Sequence, residues 1–155
     1  MASPAMRQET ALTFNEALNK VEHRLIVELG CDTVKNGEYL DICPVTYRFT
    51  PGLYIREIFM PASAVIVSKV HKTENLFVVT QGRCSVYTEE CEWELIEAPH
   101  VGVTKVGTRR LLVMQEDTRW MTFHPNPDDI TDLEVLDEML FGVYENPLLE
   151  GVSND

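Results

Sequence analysis

Apolar residues first recur at three- and four-residue steps, as Leu12, Leu18, Val21, Leu25 and Ile26. That spacing predicts an amphipathic helix over 11–29, stopped before Gly30. From Thr46 onward the pattern shortens to runs of Val, Ile, Phe and Tyr, punctuated by Pro51-Gly52, Pro61, Gly82, Pro99, Gly102 and Gly107. Such punctuation predicts strands at 54–60, 64–72, 76–80, 84–88, 92–96, 101–106, 110–115 and 120–124. Strands in succession without helices between them predict a mainly β fold, an antiparallel closed or two-sheet barrel of the jelly-roll kind. After His124 the pattern lengthens again. Leu133, Leu136 and Leu140 share a helical face, the box Thr131-x-x-Glu134 marks a start, and Gly142 marks a stop. The expected organisation is an N-terminal helix and arm over 1–45, a barrel over 46–126, and an acidic C-terminal helix and tail over 127–155.

The chain has 155 residues, the length of about one domain with a core of its own. Thirteen Lys plus Arg face twenty-five Asp plus Glu, a formal net charge of −12. So acidic a molecule repels phosphate backbones and anionic lipid, which argues against nucleic acid and membrane partners. No stretch approaches the ~18 apolar residues of a spanning helix, and the first residues carry no unbroken apolar run. The four cysteines, Cys31, Cys43, Cys84 and Cys91, form no C-x-x-C and no dense framework. They are expected as buried or free thiols in a reducing compartment, the cytoplasm.

The runs PASAVIVSKVHKTENLFVVTQG and IEAPHVGVTKVGTRRLLV resemble the two sequence motifs of the cupin superfamily. The stretch from Gly52 to Pro125, with its HKTE turn, its GTRR turn and its TFHP end, resembles small cupin-like proteins encoded by tailed bacteriophages and prophages. The resemblance implies a jelly-roll barrel and says little about activity, because one fold hosts many functions. It also implies where a cupin metal centre would be. Counting back from Gly82 places Asn75 at the glutamate position, His71 at the second histidine and Lys69 at the first. The segment Lys105–Arg110 places Arg110 at the remaining histidine.

Of these four positions only His71 keeps a metal-binding side chain. Lys and Arg are cations with donors only, so they disfavour a divalent ion both sterically and electrostatically. No cofactor is expected, with Fe, Mn or Zn at low occupancy as the alternative. A salvage site would draw on His71, Glu74 and His124, although strand alternation puts Glu74 in the turn. The sharper expectation is a ligand site of Lys69, His71, Asn75 and Arg110, in which Arg110 offers a planar donor fork to a carboxylate or phosphate. The plainer readings stand beside it. His71 and His124 can be hydrogen-bonded barrel histidines, His100 a solvent-facing turn residue, and Lys69 and Arg110 partners of Glu57, Glu74 or Glu116.

No nucleophile elbow, P-loop or dinucleotide fingerprint is present. Two functional classes follow. The first is a non-catalytic phage-type cupin, a virion or assembly component or a binding module. The second is an enzyme acting on a small anionic molecule, with a weakly held divalent metal as an option. Val143, Tyr144, Leu148 and Leu149 lie beyond the last helix stop with no core of their own, so a homo-oligomer is expected, with other phage structural proteins as further candidate partners.

Overall fold

The computed structural model describes residues 12–28, 43–142 and 146–151. Within them the first helix is α1, Phe14–His23, continued by a π-helical turn over Arg24–Glu28. Thr13 caps it in a reciprocal box with Glu16, which satisfies two otherwise orphaned N–H groups and fixes the start later than the apolar spacing suggests.

Ten strands follow before the second helix: β1 Val45–Thr50, β2 Gly52–Met60, β3 Val65–Val67, β4 Val70–His71, β5 Asn75–Gln81, β6 Arg83–Tyr87, β7 Trp93–Glu97, β8 His100–Thr104, β9 Leu111–Met114 and β10 Thr118–Asn126. Helix α2, Leu133–Leu140, runs into β11, Phe141–Gly142. A 3-10 turn at Pro147–Leu149 ends the described chain.

All pairings are antiparallel. One sheet has the order β1-β2-β10-β5-β8, the other β3-β9-β6-β7, and β11 adds to β4 as a short third pair. Apart from the hairpins β1–β2 and β6–β7, which stay within one sheet, the chain crosses back and forth between the two main sheets, so the fold is the expected jelly-roll barrel with a helix at each end.

Four details depart from the expected pattern. β1 forms where no separate strand was expected, because Pro51-Gly52, with Gly52 at φ +76°, closes a two-residue turn that pairs VTYRFT with β2. The stretch 64–72 divides into β3 and β4: Ser68 N–H donates to Arg110 O one step beyond the last β3–β9 pair, and His71 N–H then donates to Thr108 O in the following turn. Gly142 does not simply stop α2. The chain turns into β11 and pairs Phe141 with His71. Asp132 rather than Thr131 caps α2, its carboxylate accepting from Glu134 and Val135 N–H.

Inward residues of the two sheets make the main core, with Met60, Ile66, Phe77, Val79, Cys84, Val86, Ile96, Leu112, Met114 and Trp120 all buried. A second core lies on the outer face of the smaller sheet, where Leu18 and Leu25 of the N-terminal helical segment meet Val67, Val65 and Leu111. Asn146 then ties the far end of the chain to α1, donating to Asn19 O at 3.0 Å and Glu22 Oε1 at 2.9 Å. Leu148 and Leu149 therefore sit in a turn docked on the chain's own α1, while Val143 and Tyr144 lie outside the described residues.

Candidate functional site

Strand period and register build the site row by row. β2 turns Tyr54, Arg56, Ile58 and Met60 inward, and β10 sets Trp120, Thr122 and His124 against Ile58, Arg56 and Tyr54. β1 adds Val45 beside Ile58 and Tyr47 beside Arg56. Across the sheet the rows therefore change from apolar at Ile58–Trp120 to polar at Tyr54–His124. Between them lies a cavity of about 110 Å³. Its apolar wall includes Ile58, Met60, Ile66, Leu112 and Trp120, and its polar wall includes Arg56, Lys69, His71 and Arg110.

Arg110 is the most constrained of these groups. It is 8 % exposed, and its Nη2 donates to Thr104 Oγ1 at 2.8 Å. The guanidinium carbon lies 5.4 Å from the Phe77 ring centre and 5.6 Å from that of Trp120. No carboxylate of the described residues comes within 4.0 Å of it. Burial pulls its pKa down to about 10, which still leaves it a cation at neutral pH. Phe77 can lie in this position because its partner on β8 is Gly102. A Cβ there would fall inside the Phe77 ring.

His71 is held by the same turn. Its backbone N–H and its Nδ1 both meet Thr108 O at 3.0 Å. A carbonyl only accepts, so Nδ1 carries the proton and Nε2 keeps its lone pair. Burial, with Arg110 and Arg56 nearby, holds the pKa down at about 4, and the ring is neutral at pH 7. Phe141 covers this group edge-on at 5.3 Å and also lies 5.1 Å from the Arg56 guanidinium and 5.2 Å from the Lys69 ammonium. The β11 pairing thus brings an aromatic ring over three polar groups of the mouth.

Of the residues expected to form the ligand site, Lys69, His71 and Arg110 come together at the cavity. Asn75 does not line it. Its side chain is buried opposite Thr104, with Nδ2 donating to Leu76 O at 3.3 Å and Oδ1 without a partner among the described residues. Glu74 lies exposed in the β4–β5 turn, away from the cavity lining. His124 points inward and is buried, stacked on Tyr54 at 4.7 Å and bonded through Nε2 to Thr122 Oγ1 at 2.7 Å. Its pKa is likewise down at about 4, through burial first and then Arg56 and His71. His100 starts β8 and stacks on Phe77 at 5.7 Å.

The pattern did not single out Arg56 or Phe141. Arg56 had a legible signal, being the one charged residue at an inward position of β2, between Tyr54 and Ile58. Its Nε donates to Tyr47 Oη at 3.2 Å, and that hydroxyl donates to Asp137 Oδ1 at 2.7 Å, so the arginine is tied to α2. Burial pushes the Tyr47 and Tyr54 hydroxyls up to about 12. Phe141 had none, because its place depends on where β11 lands.

The donor set around His71 does not fit a divalent ion. A neutral imidazole is surrounded by Arg56, Lys69 and Arg110, and no cluster of three His, Cys, Asp or Glu side chains forms among the described residues. Cys43 also lines the cavity, but burial pushes its thiol up to about 11 and keeps it protonated.

No family model matches the chain, and no curated protein does. Among solved structures it is similar to a salicylate 1,2-dioxygenase from Pseudaminobacter salicylatoxidans, with a TM-score of 0.51 and 14 % identity. That match covers 77 % of this chain and 34 % of the dioxygenase, so the chain spans about a third of that protein's length. It is also similar to the EutQ protein of Clostridium difficile, at TM-score 0.48 and 13 % identity over 63 % of this chain and 78 % of the other. A cupin superfamily protein from Desulfitobacterium hafniense matches at TM-score 0.46 and 6 % identity, over 55 % of this chain and 78 % of its own. The likeness is one of fold: the chain builds a jelly-roll barrel.

Proposed function

We propose that this barrel is a metal-free binding module for a small organic anion. The observation that carries the reading is Arg110, a buried guanidinium that lines the cavity with one hydrogen bond, to Thr104, and no carboxylate partner among the described residues. A buried charge whose nearest counter-charge, Glu94, acts only from beyond ion-pair distance is costly, and a bound carboxylate would offset that cost with a bidentate contact. Lys69 adds a second positive charge, and His71 Nε2 presents an acceptor for a hydroxyl or protonated group. The apolar wall and the volume set the size. A cavity of ~150 Å³ admits benzene, so about 110 Å³ suits an anion with a short apolar body.

The sequence likeness of the HKTE, GTRR and TFHP segments to tailed-phage cupins supports placing such a module among virion or assembly components. Mass spectrometry of purified virions checks that placement. Cys43, Cys84 and Cys91 are free thiols, which supports a reducing compartment.

Calorimetric titration with a panel of short carboxylates and inorganic phosphate tests the binding reading. One carboxylate is expected to bind, and Arg110→Ala is expected to weaken it by about 2–4 kcal/mol. Protein purified without chelator is expected to hold well under one equivalent of Fe, Mn or Zn. Stoichiometric metal that is lost in His71→Ala would overturn the proposal and favour an enzyme acting on the same class of anion.

A further inference from the structure

The outer face of the five-stranded sheet is apolar across four strands. Its outward positions pair as Val103 with Leu76, Leu76 with Phe123 and Phe123 with Ile55, and in the next row as Val101 with Val78 and Val78 with Met121. Leu76, Val101 and Val103 are 45, 63 and 52 % exposed. The corresponding face of the smaller sheet is covered by the N-terminal helical segment, whose Leu18 and Leu25 pack on Val67. Among the described residues the two sheets thus differ: one outer face has a helix on it and the other is uncovered.

We propose that this face is a two-fold interface to a second copy of the chain. Charge favours that occupant. The molecule carries −12, so two copies repel one another over most of their surfaces. On this face the charged side chains at the β1, β2 and β10 end are Arg48, Glu57 and Arg119, and Glu57 is paired with both arginines, at 3.4 and 3.1 Å. Two arginines against one glutamate leave it without the negative charge found elsewhere. A copy can therefore dock here at the least electrostatic cost, whereas an anionic lipid surface would still meet the acidic remainder.

Area agrees. Five strands at ~4.8 Å spacing and about eight residues at ~3.3 Å rise give a face of roughly 600 Å² before side-chain relief is counted, close to the ~800 Å² per partner of a stable dimer. The contact is self-complementary, because a two-fold axis through Leu76 sets each apolar row against its own counterpart. Sheets packed in this way lie about 10 Å apart with side chains interleaved.

Sedimentation equilibrium of the full chain at micromolar concentration reads the outcome. A dimer is expected. Val103→Lys, at a position already half exposed and so tolerant of charge in the monomer, is expected to raise the dissociation constant at least about tenfold without changing the circular dichroism spectrum. Val106→Lys lies outside the face and is expected to leave the dimer intact. A dimer indifferent to both Val103→Lys and Leu76→Asp would overturn the assignment. So would a monomeric wild type, including one in which Leu76 and Val103 are shielded by residues 29–42 of the same chain.

Discussion

His71 and His124 set how the barrel responds to acid. Both are neutral when folded, with pKa values held down at about 4 against an ordinary 6.5. Between those values the unfolded chain binds protons that the folded one refuses, so stability is full above about pH 6.5 and falls as pH drops towards 4. His71, with its pKa at about 4, contributes up to about 3 kcal/mol to that fall. Urea denaturation from pH 7 to pH 4 is expected to show the loss, and His71→Asn to reduce the slope. An unchanged slope in that variant would place the acid sensitivity elsewhere. The same residue scale explains why His71 was found from sequence and Arg56 was not. His71 sits in a recognisable motif, while Arg56 is distinguished only by its inward position, which requires knowing the face of β2.

At the scale of elements, the cavity depends on two contacts between strands. The first is Phe77 over Gly102, which sets the aromatic shelf beneath Arg110. Gly102→Ala puts a methyl group into that ring and is expected to destabilise by about 1–3 kcal/mol, read as a lowered urea midpoint, and to weaken anion binding at the same time. A variant of full stability and full affinity would show that the shelf moves freely. The second contact is β11 on β4, with Lys72 Nζ donating to Glu138 O at 2.7 Å beside it. Phe141→Ala is expected to speed both association and release of the ligand, measured by stopped-flow fluorescence of Trp120, since the ring lies across the mouth. Unchanged rates would argue that entry runs by another side. The split of 64–72 into two strands belongs to this scale as well. An apolar run over 64–67 gives way there to Ser68-Lys69, and the bonds from Ser68 and His71 to the 107–110 segment mark the division.

For the whole molecule, the terminal segments hold each other. Arg109, 4 % exposed, donates to Asn15 and Asn19 and pairs with Glu22 at 3.7 Å, and Asn146 bonds the same helix from the other side. Asn146→Ala leaves Asn19 O and Glu22 without that donor and is expected to cost about 1–3 kcal/mol. Hydrogen exchange is expected to rise together in α1 and in 146–151. Faster exchange in only one of them would separate the two ends energetically. This arrangement also bears on assembly. Leu148 and Leu149 have no core of their own in the sequence pattern, and their turn is docked on α1, while the broad apolar surface lies on the open sheet.

By itself the sequence determined the barrel, because strand period, Pro/Gly punctuation and the alternation of inward and outward residues are local properties that the backbone must obey. It also located Lys69, His71 and Arg110 as positions that come together, through a motif whose spacing reflects that fold. Tertiary structure alone decided that Asn75 stands behind the cavity wall, that Arg56 and Phe141 complete the mouth, and that the smaller sheet receives α1 on its outer face. These depend on contacts between residues far apart in the chain. Arg56 reaches α2 through Tyr47 and Asp137, and Phe141 pairs with His71 across seventy residues. No periodicity within a segment encodes where another segment will land.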